Sequence, residues 1–143
     1  MKVLKLPLYS FILKKYNSMF DDLSKEYKIT QAEIDILAFL YNNPEYKYAQ
    51  QLVDVRGISK AQVSIAIEKL VKKGLLIRKA DSQNRRCNIL LLTNKSDEII
   101  SKIRKIQNQF NGISKKEISE EEMEIFNKVL VQIYINLGGK MNE

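Results

Sequence analysis

The sequence predicts a mainly α-helical fold with one small β-hairpin. Three observations predict it. Apolar residues recur at steps of three and four through most of the 143 residues, the period of helices buried on one face. Thr30, Ser59 and Ser119 each open an S/T-x-x-E/Q signature, the mark of a helix start. Between the second and third of these, Leu75–Lys79 and Cys87–Leu92 flank the turn cluster Asp81-Ser82-Gln83-Asn84, the pattern of two strands around a turn. The length suits one compact domain. The pattern divides it into an N-terminal helix (1–28), a central lobe (29–93) and C-terminal helices (94–143).

The elements follow in order. Pro7 fits the first turn of a helix, where its missing N–H costs nothing. Leu8, Phe11, Ile12, Tyr16, Met19, Phe20 and Leu23 then predict one amphipathic helix of several turns. Thr30 starts a short helix carrying Ile34, Leu37, Phe39, Leu40 and Tyr41, stopped by Asn42-Asn43-Pro44. Tyr46-Lys47-Tyr48 reads as an extended link and Ala49–Val55 as a short helix before Gly57. Ser59 opens a helix with Val63, Ile67, Leu70 and Val71 on one face. It ends at Lys72-Lys73-Gly74, with cations at the negative end of the helix dipole and a glycine just beyond. A helix from about Asn94 to Phe110 carries Ile99, Ile103, Ile106 and Phe110, and Asn111-Gly112 is its expected stop. The last helix starts at Ser119 and carries Met123, Phe126, Leu130, Ile133 and Leu137, a spacing that suits helix against helix, within one subunit or between two.

Composition narrows the chemistry. There is no histidine, so no imidazole is available for a catalytic triad, a zinc site or a pH switch. The single Cys87 excludes an internal disulfide and a multi-cysteine metal site. None of the five glycines sits in a phosphate-cradling loop. No pair of carboxylates lies in an apolar setting suited to acid–base work. The expectation is a binding protein with no enzymatic activity, no cofactor and no metal. No apolar run is long enough to cross a bilayer, and the N-terminus lacks a signal-peptide pattern, so a cytoplasmic protein is expected.

The net charge of +7 is unevenly spread. Arg56–Lys95 holds ten cations against two anions, a net of +8, which leaves the rest of the chain at −1. Such a segment is either a polyanion-binding surface or a solvated basic face. All twelve Tyr and Phe residues lie outside Ala49–Gln109. Single-stranded nucleic acids are bound by stacking bases on aromatic rings, so double-stranded DNA is the better-matched polyanion.

Two short helices joined through Gly57 and followed by a basic hairpin make a winged helix-turn-helix. A helix fits the major groove of B-DNA, and a hairpin beside it carries arginine to the minor groove. Ser59, Lys60, Gln62, Ser64 and Lys69 lie off the core face of the second helix and suit bases and phosphates. The stretch Asp81-Ser82-Gln83-Asn84-Arg85-Arg86, followed by Leu92-Thr93, resembles the wing pattern D-P-x-D-[KR]-R…L-T of the multiple-antibiotic-resistance regulator (MarR) family. Ile67–Leu76 resembles the end of that family's recognition helix.

The resemblance covers nearly the whole chain. It implies a winged helix-turn-helix plus terminal dimerisation helices, in a homodimeric regulator, usually a repressor, that binds a near-palindromic operator. It implies that Arg86 is the minor-groove arginine, with Asn84 in place of the usual aspartate and Ser82 in place of the usual proline. DNA contacts are expected from Arg56, Ser59, Lys60, Gln62, Ser64, Ile65, Lys69, Arg78, Asn84, Arg85 and Arg86. Ile65 either touches a thymine methyl or packs. Dimerisation contacts are expected from Leu8, Phe11, Ile12, Phe110, Phe126, Leu130, Ile133 and Leu137. Many family members bind small, often aromatic, anions, and Tyr16, Phe20, Phe39 and Tyr41 are the candidates to line a cleft for such an effector. Ordinary core packing is the simpler reading of those four. Cys87 lies beside Arg85 and Arg86, which favour a thiolate, although a small structural thiol is the simpler reading. A different class of function stays open: a winged helix whose basic face docks an acidic protein.

Overall fold

The computed structural model describes residues 3–84 and 86–140. They form seven α-helices and one two-stranded antiparallel sheet. The fold is mainly α with a small β-wing, as expected.

The expected single N-terminal helix is two: α1 (Leu6–Ser18) and α2 (Asp21–Tyr27). The N–H groups of Met19 and Phe20 bond three residues back, to Tyr16 and Asn17, which tightens and ends the first helix. The break turns Phe20 fully into the core and gives α2 two aspartates at its positive end. Helix α3 (Gln31–Asn42) is the centre of the core and packs against α5 and α6. Helices α4 (Ala49–Asp54) and α5 (Lys60–Lys72) are joined through Gly57, whose φ of 79° is a left-handed value that side chains disfavour. Gly74 (φ 73°) ends α5 in the same way, and the Leu75 N–H reaches back to the Leu70 carbonyl. Strands β1 (Leu76–Ala80) and β2 (Asn88–Leu92) pair with Leu76 opposite Leu92 and Ala80 opposite Asn88.

A 3₁₀ turn (Asn94–Ser96) leads into α6 (Asp97–Ser114). The expected stop at Asn111-Gly112 is wrong: α6 runs through both residues. Gly112 keeps helical backbone, since a lone glycine inside a helix costs only about 1 kcal/mol against alanine. Helix α7 (Glu120–Asn136) opens with a complete capping box: Ser119 Oγ accepts from the Glu122 N–H at 3.1 Å, and Glu122 Oε2 accepts from the Ser119 N–H at 2.9 Å.

The core lies in the central lobe and under α6, where Ile34, Ile36, Leu37, Leu52, Leu70, Leu76 and Ile103 are fully enclosed. Neither α1 nor α7 buries a single residue. Leu8, Phe11, Ile12, Phe126, Leu130 and Leu137 all stand exposed, Phe11 at 70%. Ile133 and Phe110 are half-buried. No described helix is long and apolar enough to cross a membrane.

Candidate nucleic-acid interface

Helix α5 begins where Ser59 Oγ accepts from the Gln62 N–H at 3.2 Å. Val63, Ala66, Ile67 and Leu70 face the core, and Lys60, Gln62, Ser64, Ile65 and Lys69 are exposed. Lys60 and Ser64 share an open groove with Arg78 of β1 and with Cys87 and Asn88 at the start of β2. The fold thus brings residues 28 positions apart in sequence onto one basic face, between the start of α5 and the wing.

The wing is held at its base. The buried Asp81 accepts from the Tyr48 hydroxyl at 2.5 Å and from the Gln83 N–H at 3.0 Å. These two bonds hold its carboxyl below the usual carboxylate range, and the carboxylate in turn raises the Tyr48 hydroxyl. Lys47, in the expected extended link, accepts the Leu90 N–H through its carbonyl at 2.7 Å and ties that link to β2. Sequence reading missed this anchor. Tyr48 falls just outside the aromatic-free stretch, so the basic segment looks devoid of aromatic residues until folding places one against it. The available signal was Asp81, which heads the wing pattern.

At the tip, Asn84 Oδ1 accepts the backbone N–H of Arg86 at 3.2 Å, and its Nδ2 donates to Cys87 Sγ at 3.4 Å. Asn84 therefore shapes the turn, an Asx-type bond that needs no charge. Arg86 is exposed, while Arg85 lies outside the described residues.

Other expected residues sit elsewhere. Arg56 is paired with Asp35 of α3 at 3.4 Å, and both border a small cavity of about 140 Å³ with Tyr16, Phe39 and Gln107. Its guanidinium is engaged on the side of α1 and α6, apart from the α5–wing groove. Burial raises the Asp35 carboxyl; a hydrogen bond from Gln31 and the charge of Arg56 oppose that rise. Of the four candidate cleft aromatics, Tyr16 and Phe39 border that small cavity, and Phe20 and Tyr41 do not. Phe20 is fully buried and meets Tyr16 edge to face, and Phe39 stacks on Tyr46. Tyr41 alone of the four is exposed, beneath the Arg104 guanidinium, and borders an open cleft of about 720 Å³ with Ile100, Arg104 and Lys105.

One more polar link stabilises the end of α5. Lys73 Nζ donates to Glu33 Oε2 at 2.7 Å and to the Lys28 carbonyl at 2.8 Å. The Thr30 cap is therefore half of the expected box: Thr30 accepts the Glu33 N–H, but the Glu33 carboxylate turns inward to the lysine. Among the described residues no cluster of three or more His, Cys, Asp or Glu side chains forms a metal site.

A recognition-type helix, a wing anchored beside it and cations converging between them define a winged helix-turn-helix protein. Residues 27–86 match the model of the MarR family. The whole chain superposes on solved MarR-type structures. A Listeria monocytogenes protein described as a MarR family transcriptional regulator, crystallised with a 26mer DNA, is 23% identical with full coverage of both chains and a TM-score of 0.82. A MarR protein from Peptoclostridium difficile is 26% identical, covering 96% of this chain and 91% of that one, with a TM-score of 0.78. A MarR family regulator from Silicibacter pomeroyi is 19% identical, covering 97% and 92%, with a TM-score of 0.81. The winged-helix segment is thus similar to the MarR family, and the fold of the chain is that of the solved MarR-type structures.

Proposed function

We propose that the protein is a cytoplasmic, homodimeric DNA-binding transcription regulator that represses by occupying a near-palindromic operator. The observation that carries this reading is the single basic face on which Lys60 and Ser64 of α5 meet Arg78 of the wing, with Arg86 exposed at the tip. The crystallised DNA complex of the Listeria monocytogenes protein supports it. In this reading Gln62 and Ser64 face base edges, Lys60 and Lys69 contact phosphates, and Arg86 enters the minor groove. The uncovered apolar faces of α1 and α7 support the dimer. Monomeric proteins rarely leave such contiguous apolar surface in water, and two copies of α7 paired on Phe126 and Leu130 would cover it.

The test is titration of labelled duplex DNA from the protein's own upstream region, by fluorescence anisotropy over a range of salt. Binding is expected to weaken steeply as salt rises, as counterion release requires. Arg86→Ala is expected to weaken binding while the dimer mass by light scattering stays unchanged. A basic face that docks an acidic protein instead would show no saturable duplex binding, and that result overturns the reading.

A further inference from the structure

Helix α5 carries one large apolar side chain on an outer face that otherwise holds only Ala61 and polar or charged residues. With 3.6 residues per turn, Ala61 and Ile65 lie one turn apart and nearly opposite the buried row Val63, Ala66, Ile67 and Leu70. Ile65 is 56% exposed and belongs neither to the core nor to the partly buried residues packed on it. It has no packing role in the folded lobe. It is carried by α5, not by the helices α1 and α7 that hold the exposed apolar rows. Lys60, Ser64 and Glu68, the last paired with Lys72, flank it on the wing side, and Gln62 and Lys69 on the other.

Such a residue at the centre of a helix that enters the major groove meets base edges. The one apolar group displayed there is the 5-methyl of thymine. Isoleucine is branched at Cβ and stiff about χ1, so its methyl groups are held ready at little entropic cost. We propose that Ile65, with Ala61 beside it, reads thymine methyls at the centre of each operator half-site, making it a specificity-determining residue. Cytosine offers no methyl to this surface, so T·A is preferred over C·G at the position beneath Ile65. The inference rests on the DNA-binding reading above and adds the base chemistry that the helix selects.

The experiment uses the full chain. Half-sites are enriched from a random duplex pool, and each thymine of the selected site is then replaced singly by deoxyuridine, which lacks only the methyl. One or two adjacent substitutions are expected to weaken binding about fourfold each, the worth of one buried methyl group. The same substitutions are expected to cost nothing in Ile65→Ser, whose circular dichroism and thermal midpoint stay those of the parent because the site is exposed. Selected sites bound tightly but indifferent to every deoxyuridine, or a penalty that survives in Ile65→Ser, overturn this inference and leave DNA binding standing. Failure to enrich any duplex overturns the DNA-binding reading, and this inference with it.

Discussion

Replacing Lys73 by methionine tests what holds the end of the recognition helix. Glu33 has no exposed surface, its Oε2 lies 2.7 Å from the Lys73 ammonium, and its Oε1 has no other hydrogen-bond partner among the described residues. Lys73→Met leaves that carboxylate enclosed without a counter-charge. Removing one partner of a buried ion pair costs about 3–5 kcal/mol. The Lys73 side chain is 32% exposed, so water screens part of the interaction, and about 2–3 kcal/mol is the expected loss. With a urea slope of about 2 kcal/mol/M, the unfolding midpoint falls by about 1–1.5 M. The measurement is equilibrium urea unfolding at one fixed protomer concentration, because the proposed dimer would make apparent stability depend on concentration. The double variant Glu33→Leu/Lys73→Met removes the orphaned charge and is expected to recover most of the loss. A midpoint shift below about 0.3 M for Lys73→Met, the size of an ordinary surface substitution, refutes the reasoning. So does a double variant no more stable than the single one.

Three further perturbations have defined outcomes. Burial keeps the Asp35 carboxyl protonated above its ordinary value of 3.8, so the folded chain holds a proton that the unfolded chain has released; stability falls as pH rises from 3.8 through the raised value, and Asp35→Asn is expected to remove that slope from the pH profile of the urea midpoint. Asp81 has the opposite sign: its bonds from Tyr48 and Gln83 stabilise the fold above the ordinary carboxylate value, and that stability is lost as pH falls from there through the lowered value. Tyr48→Phe is expected to shrink that acid loss and to weaken duplex binding, read by anisotropy, because the wing loses its basal tether. Phe126→Glu puts a charge on the uncovered face of α7 and is expected to shift the light-scattering mass from dimer towards monomer; an unchanged mass would remove α7 from the dimer interface.

What was legible in the sequence has a local physical origin. The three helix starts at Thr30, Ser59 and Ser119 depend on hydrogen bonds between residues three apart, and all three threonine or serine caps form. The hairpin was legible because a turn cluster separates two short runs. The break at Met19-Phe20 was not, because no glycine or proline marks it; the demand comes from the core, which takes Phe20 whole. Gly112 was misread for the converse reason: a glycine permits a stop without forcing one. At the candidate interface, the outward face of α5 followed from its period, since Val63, Ile67 and Leu70 fix the opposite side. The roles of Arg56, Asp81 and Glu33 depend on partners 21, 33 and 40 residues away, and no periodicity encodes those distances.

Those distant pairs share a consequence for how the lobe is held. Apolar burial builds the lobe from α3, α4, α5 and the sheet, with the Glu33–Lys73 pair as its buried polar contact. Its attachment to α2 and α6 continues the same core through Phe20, Leu23, Ile99, Ile100 and Ile103. Polar contacts add to it: Arg104 over Tyr41, and Lys73 reaching the Lys28 carbonyl at the end of α2. Exposed polar pairs are each worth under about 1 kcal/mol and yield readily. The Lys73 link is the exception, because its carboxylate partner is sealed in α3 and has nowhere else to find a counter-charge. Lys73 is also the last helical turn of the helix that presents Gln62, Ser64 and Ile65, and its own carbonyl accepts from Lys95 ahead of α6 at 2.8 Å. A rotation of the lobe against the terminal helices must therefore either break the Lys73 contacts to Lys28 and Lys95 or carry α2 and the start of α6 with it. Lys73 thus ties the C-terminal end of α5 to the end of α2 and to the turn ahead of α6, about two to three turns from Gln62, Ser64 and Ile65.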